Sequence, residues 1–221
     1  MTTLRTTTKK IKRTLPFYGH YKTLKTLLRD PHSYLHQTGW LKSLLDDRPV
    51  DKDGAATPWM NYPVVAFLRD RLTKDLDLFE YGSGHSTLFF ARLVKSVTSV
   101  ESNEAWFHLL KNRLPDNAEL KLAPADPDAG YCRAILGSGR KYDVVVVDGV
   151  DRVNCLKQAL AALTPAGVMI LDDSQRDSYA EGISFLRANG FLALFFEGLK
   201  PASSRVERTT VFYRPQNCLG I

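Results

Sequence analysis

A chain of 221 residues, 44% of them hydrophobic, suffices for one packed core domain with an extension and is too apolar to stay unfolded. No uninterrupted apolar stretch approaches the roughly 20 residues of a membrane-spanning helix. The three cysteines (Cys132, Cys155, Cys218) form no C-x-x-C pair, which argues against a disulfide framework or a zinc knuckle. The net charge of +6 is uneven: of 30 Lys/Arg, eight lie in residues 1–29 (Arg5, Lys9, Lys10, Lys12, Arg13, Lys22, Lys25, Arg29) with no acid among them, leaving 22 against 24 acids in the rest. Such an arm calls for an anionic partner.

The first residues, Met1-Thr2-Thr3-Leu4-Arg5, lack the apolar centre of a secretory signal, and a cytoplasmic protein in a reducing compartment is expected; a Thr- and Arg-rich transit peptide is the lesser alternative. Residues 1–14 read as a disordered basic tail. Phe17, Tyr21, Leu24, Leu27 and Leu28 recur at helical spacing with lysines between them, which predicts a helix over 17–29. A second helix is expected over 33–46, with Ser33 as its N-cap and Leu35, Trp40, Leu41, Leu44 and Leu45 on its apolar side. Arg48 to Pro58 reads as a loop, and Pro63 suits the first turn of a helix running to Leu72. The expected division is a basic tail and helical extension over 1–60 and a core domain over 61–221.

From Leu76 onward strand and helix patterns alternate. Strands are predicted near 76–80, 96–101, 118–122, 143–148, 167–172, 191–197 and 207–213, with helices near 86–94, 103–114, 152–163 and 177–189. The run Val144-Val145-Val146-Val147 is continuous and β-branched, as a central parallel strand covered on both faces requires. The fold class is therefore α/β: a doubly wound, mostly parallel seven-stranded sheet with an N-terminal helical extension. The last two strand signals have no helix between them, which predicts a terminal antiparallel hairpin.

Leu78-Phe79-Glu80-Tyr81-Gly82-Ser83-Gly84-His85-Ser86-Thr87 is a strand, a glycine turn and a helix start, where backbone can approach a nucleotide-like ligand. The second strand ends in Glu101, seventeen residues after Gly84, placed to accept from ribose hydroxyls, with Ser102 beside it. A dinucleotide site needs a third glycine where this chain has Thr87, and Glu80 would repel a diphosphate but suits a ligand with an ammonium group. Glu80-Tyr81-Gly82-Ser83-Gly84 and Glu101 resemble the first two motifs of the class I S-adenosylmethionine-dependent methyltransferases. The resemblance runs from about Leu76 to Arg214 and takes in Lys141–Gly149, like the family's fourth motif, and Leu163–Asp173, like its next segment; the terminal hairpin is also a family trait. It is most similar to uncharacterised bacterial members with E-x-G-S-G-x-S-T-L, V-D-G-x-x-R and L-D-D-S segments, here Glu80–Leu88, Val147–Arg152 and Leu171–Ser174.

The resemblance implies S-adenosylmethionine as cofactor, held by Glu80, Gly82, Ser83, Gly84, Ser86, Glu101, Ser102 and Asp148. In catechol-type O-methyltransferases the places of Asp148, Asp172 and Asp173 hold metal ligands, and three such oxygens would suit Mg²⁺; the alternative is that Asp172 and Asp173 cap a helix while Asp148 holds cofactor or acceptor. Methyl transfer needs mainly alignment, with a base only for a hydroxyl or ammonium acceptor. Asp148 or Asp173 is the expected base or orienting group, and Arg152 a candidate clamp for an anionic acceptor. His85 is a packed residue or a base, Trp59 and Tyr62 are candidate lid residues, and Gly137-Ser138-Gly139 reads as a turn.

The expected activity is O-methylation of a small or glycan-like acceptor. An NAD(P)-dependent oxidoreductase and a non-catalytic docking module are the alternatives. Residues 1–29 are expected to touch an anionic membrane peripherally, ahead of nucleic acid, because they offer no base-stacking platform.

Overall fold

The computed structural model describes residues 17–125 and 130–221. Seven strands, β1 (Asp77–Tyr81), β2 (Ser96–Glu101), β3 (Ala118–Leu122), β4 (Tyr142–Val147), β5 (Leu163–Leu171), β6 (Leu192–Gly198) and β7 (Glu207–Tyr213), form one sheet in the order β3-β2-β1-β4-β5-β7-β6. β7 runs antiparallel to both β5 and β6, so six strands share one direction and the predicted terminal hairpin is present. Strand order reverses between β1 and β4, which opens a crevice at their C-terminal ends.

The period-2 alternation of the central strands makes two cores. Phe79, Tyr81, Val145, Val147, Met169 and Leu171 face one side, and pack with Cys155, Leu156 and Ala159 of α8 (Arg152–Ala159) and Leu186 of α9 (Ala180–Ala188). Leu78, Val144, Val146, Val168 and Ile170 face the other, and pack with Val64, Val65 and Leu68 of α4 (Tyr62–Arg71) and Phe89 and Phe90 of α5 (His85–Leu93). Each such apolar side chain contributes about 1.5–3 kcal/mol by leaving water, so the sheet is pinned from both faces and its strand tips are fixed. α6 (Glu104–Lys111) and α7 (Gly130–Arg133) complete the layers. Asn61 caps α4 through Val64 N–H at 3.1 Å, and its amide donates to Phe196 O and Thr209 Oγ1, which ties that helix to the hairpin.

The N-terminal segment holds α1 (Tyr18–Arg29), α2 (Tyr34–Gln37) and α3 (Trp40–Asp46). The single helix expected over 33–46 is broken at Gly39, whose φ of 81° ends one turn before the next begins. Ser33 does not cap by accepting a backbone N–H; its hydroxyl donates to Leu27 O and meets the His36 ring. The helix expected to run to 114 stops at Lys111, because Leu114 precedes Pro115 and is disfavoured in helix. The 152–163 helix tightens into a 3₁₀ turn at Leu160–Ala162, and β5 begins at Leu163 rather than 167, its register against β4 shifting between Tyr142 and Val144. The segment before α4 is clamped to the core: Trp40 Nε1 donates to Ser203 O at 2.8 Å, Val50 bridges Ala56, and Arg92 donates to Ala56 O at 2.6 Å. The predicted tail over 1–14 lies outside the described residues.

Candidate active site

β1 delivers the chain into the crevice. Gly82 has φ 97°, and a Cβ there would stand 3.1 Å from Asp148 O, so the turn lies directly on the backbone at the end of β4. Only glycine combines that dihedral with that approach. Gly84 precedes α5, and its N–H donates to Thr87 Oγ1 at 3.0 Å. Thr87 in turn donates to Glu80 Oε2 at 2.6 Å, and Ser99 of β2 donates to the same oxygen at 2.7 Å. Glu80 is only 1% exposed, and burial pushes its carboxyl above the usual range against the pull of the surrounding hydroxyls. Thr87, which replaces the third glycine of a dinucleotide motif, is thus the post that hangs the turn from the buried acid.

Glu101, at the tip of β2, accepts from Ser102 N and Asn103 N through Oε1 (2.8 Å each) and from Ser83 Oγ through Oε2 (2.6 Å). A carboxylate has about four lone-pair positions, so Oε2 keeps one for a ligand hydroxyl. The Trp106 indole, from α6, donates to Ser83 O at 2.9 Å and lies over Gly84, closing the far side of the turn. The tips of β1 and β2 are therefore one hydrogen-bonded unit.

On the other side, Asp148, Asp172 and Asp173 come together as predicted, but as partners of cations. Arg152 is 9% exposed, so it does not stand open at the mouth as an acceptor clamp. It donates to Gly149 O (2.9 Å) and Asp172 O (2.6 Å), forms an ion pair with Asp148 Oδ1 (3.0 Å), and its guanidinium lies 5.4 Å from the Tyr179 ring centre. Asp173 takes Lys200 at 2.8 Å, Arg176 on its other oxygen, and Arg152 at 4.0 Å. Asp172 accepts from Thr209 Oγ1 at 2.5 Å. Burial, reinforced by Asp148, pushes the Asp172 carboxyl up to about 8. Burial likewise raises Asp148 to about 6, with Arg152 opposing and Asp173 and Glu80 assisting. Lys200 is half-buried, yet its ammonium is held above the ordinary value because Asp173 and Asp172 outweigh the burial penalty.

This donor set does not fit the Mg²⁺ expected at Asp148, Asp172 and Asp173. Asp173 already carries three protein cations, Asp172 is occupied by the Thr209 hydroxyl, and a dication would have to displace Lys200 and Arg152. No group of three or more metal-ligating side chains forms among the described residues. Of the two acids expected as base or orienting group, Asp173 has a side chain 6% exposed and paired on both oxygens, whereas that of Asp148 is 23% exposed.

Asp148 lines a cavity of about 350 Å³ together with Ser83, Gly84, Ser86, Trp59 and Arg48. Trp59 is half-exposed at its edge, as a lid residue should be. Tyr62 is not: it is buried as the first residue of α4, edge-on to the Tyr34 ring at 6.2 Å. His85 also lines the cavity, and burial lowers its pKa with help from Arg48 and Arg113, so it is a neutral wall rather than a charged group. Sequence reading missed Thr87 as a structural post, and it missed Trp106, Lys200, Arg48 and Arg113. Only Trp106 left a local signal, an aromatic three residues after the Asn103 cap and next to the Glu101 tip.

No protein-family model matches the chain, and no curated protein matches it. Solved structures do. A Klebsiella pneumoniae protein assigned as an O-methyltransferase superposes with a TM-score of 0.56 at 16% identity, over 88% of this chain and 94% of its own. A precorrin 8w decarboxylase from Methanobacterium thermoautotrophicum gives 0.54 at 19%, over 76% and 97%. An rRNA methylase from Streptococcus thermophilus gives 0.51 at 17%, over 69% and 96%. At these identities the likeness is one of fold, and together with the strand order and the terminal hairpin it gives the chain the class I S-adenosylmethionine-dependent methyltransferase fold.

Proposed function

We propose that this protein is an S-adenosylmethionine-dependent methyltransferase that methylates an oxygen of a small or glycan-like acceptor. The observation that carries the reading is the unit built by Glu101, Ser83, Gly82 and Gly84. It offers one free carboxylate position at the tip of β2, beside a turn hung from a buried acid rather than an open anion cradle. A ribose diol suits the first, and a cationic, phosphate-free ligand suits the second. Ser86 and Asp148 complete the wall on which the amino acid part of the cofactor would rest. The cofactor supplies an electrophilic methyl group on a good leaving group, so the chain's task is alignment and exclusion of water. Asp148 is the carboxylate on the cavity side, and its pKa near 6 makes it a stronger base toward a hydroxyl than an ordinary aspartate, active once ionised. Arg152 positions Asp148 rather than touching the acceptor. The NAD(P) reading loses support from the same turn, where Thr87 is fully buried and bonded to Glu80.

Calorimetry with S-adenosylhomocysteine tests this. Glu101→Ala should weaken binding by about 1.5–3 kcal/mol, the loss of a charge-assisted hydrogen bond, which is roughly 10- to 100-fold in Kd. Wild-type affinity in that variant, or tighter binding of NAD than of S-adenosylhomocysteine, would remove the assignment.

We also propose that α1 lies on an anionic membrane surface. None of its residues is buried, and Phe17, Tyr21, Leu24 and Leu28 form one exposed apolar stripe flanked by Lys22, Lys25 and Arg29. Apolar contact below and cations at headgroup height are what an interfacial helix needs. The double variant Leu24→Gln/Leu28→Gln should no longer sediment with phosphatidylglycerol vesicles at low salt. Undiminished sedimentation, or binding to nucleic acid in place of vesicles, would refute it.

A further inference from the structure

A second cavity, of about 260 Å³, opens beside the cofactor cavity and shares Arg48, Gly84, His85 and Trp106 with it. Its charged walls come from distant parts of the chain: Arg48 from the segment after α3, His85 from the start of α5, and Arg113 from just beyond α6. No acid lines it. Elsewhere in the site the buried Arg152 and the half-buried Lys200 have carboxylates at hand, Asp148 and Asp173, and the exposed Arg176 also pairs with Asp173. Here the exposed Arg113 has no ion pair among the described residues, and Arg48, its side chain 56% exposed, has only Asp46 at 3.7 Å. Both line the cavity with His85, whose pKa burial and the two arginines lower. Between them Leu88 and Leu109 supply an apolar wall.

Two arginines on the wall of one cavity with no acid beside them offer a place for an anion, and arginine forks suit phosphate and carboxylate oxygens. We infer that this cavity receives the anionic end, a phosphate or a carboxylate, of the methyl acceptor, with the apolar stem of the acceptor along Leu88 and Leu109. The two cavities share Arg48, Gly84, His85 and Trp106 in their walls, so the inference seats a molecule anchored at Arg48 and Arg113 next to the space in front of Asp148. The inference rests on the methyltransferase reading for the word acceptor; the anion site itself does not depend on it.

The probes are phenyl phosphate, benzoate and neutral benzyl alcohol, titrated calorimetrically at constant ionic strength into the full chain, with and without saturating S-adenosylhomocysteine. Phenyl phosphate or benzoate should bind, and whichever binds tighter names the anion. Arg113→Met and Arg48→Met should each weaken that binding at least tenfold, and Arg113→Met, whose residue does not line the cofactor cavity, should leave affinity for S-adenosylhomocysteine unchanged. Arg187→Met, an exposed cation on α9, should change neither. Thermal midpoints check that each variant is folded. Equal anion binding by the wild type and both variants overturns the inference, as does preference for benzyl alcohol. A loss of S-adenosylhomocysteine affinity in Arg113→Met also overturns it, because the cavity would then hold the cofactor's own carboxylate. Failure of the wild type to bind S-adenosylhomocysteine while the anion pattern holds would remove the methyltransferase reading and leave the anion site standing.

Discussion

Asp172→Asn should stabilise the protein, and by more as pH rises. Asp172 is 2% exposed, and its carboxyl is raised to about 8 by burial and by Asp148. In the unfolded chain it titrates near 4. Between those values the folded state holds a proton that the unfolded chain has lost, so stability falls as pH rises through the window. One extra bound proton corresponds to about 1.4 kcal/mol per pH unit, or roughly 3 kcal/mol from pH 5 to pH 7. Asparagine keeps an acceptor for Thr209 and never ionises. It leaves the buried ledger balanced, with Asp148 and Asp173 facing Arg152 and Lys200. For a domain of this size about 1 kcal/mol moves the thermal midpoint by about 2–4 °C. The midpoint of the variant minus that of the wild type should therefore widen by about 5–10 °C between pH 5 and pH 7 in differential scanning calorimetry. Parallel curves, or a variant that falls below the wild type at pH 8, would show that Asp172 is ionised in the folded protein.

Thr87→Val keeps the shape but strips Gly84 N–H of its acceptor and Glu80 of a donor, which should cost about 1–3 kcal/mol in urea unfolding and loosen the turn. Gly82→Ala forces a Cβ into φ 97° and to 3.1 Å from Asp148 O; it should lose about 1–3 kcal/mol and bind S-adenosylhomocysteine more weakly than its residual fold accounts for. Methyl transfer should be indifferent to EDTA because Lys200, Arg176 and Arg152 already hold Asp173; activity abolished by chelator and restored by Mg²⁺ would refute that pairing. Turnover should rise with pH through about 6 as Asp148 ionises, and a rate that is flat from pH 5 to pH 8 would exclude it as the base.

What was legible in the sequence was local. The strand–turn–helix at Glu80 to Thr87, the acid closing β2 and the β-branched run of β4 each declare themselves within ten residues, because strand period and turn chemistry are short-range. Their order along the chain then fixes the sheet. Lys200 sits beyond β6 and reaches Asp173 only because β7 inserts between β5 and β6. Arg48 and Arg113 line one cavity with His85 because the segment after α3 folds back over α5. No spacing encodes such encounters. The metal expectation failed for the same reason: Asp148, Asp172 and Asp173 close their strands in the sequence as ligands would, but what decides their use is which cations lie across from them, and no three-ligand group forms among the described residues.

The acids at the strand tips look alike in the sequence and differ in the fold by burial and partner. Glu80 is sealed and holds the turn; Glu101 is three-quarters occupied and keeps one position free; Asp172 is buried with its pKa raised; Asp173 is paired with cations on both oxygens. Asp148 alone combines exposure to the cavity with a raised pKa. The crevice therefore carries both signs: carboxylates at Glu101 and Asp148, and cations at Arg48, which lines the same cavity as Asp148, and at Arg113 in the neighbouring one. On the proposed function the sulfonium cofactor belongs at the carboxylates and the anionic end of the acceptor at the arginines, so each partner has its own anchor in one crevice.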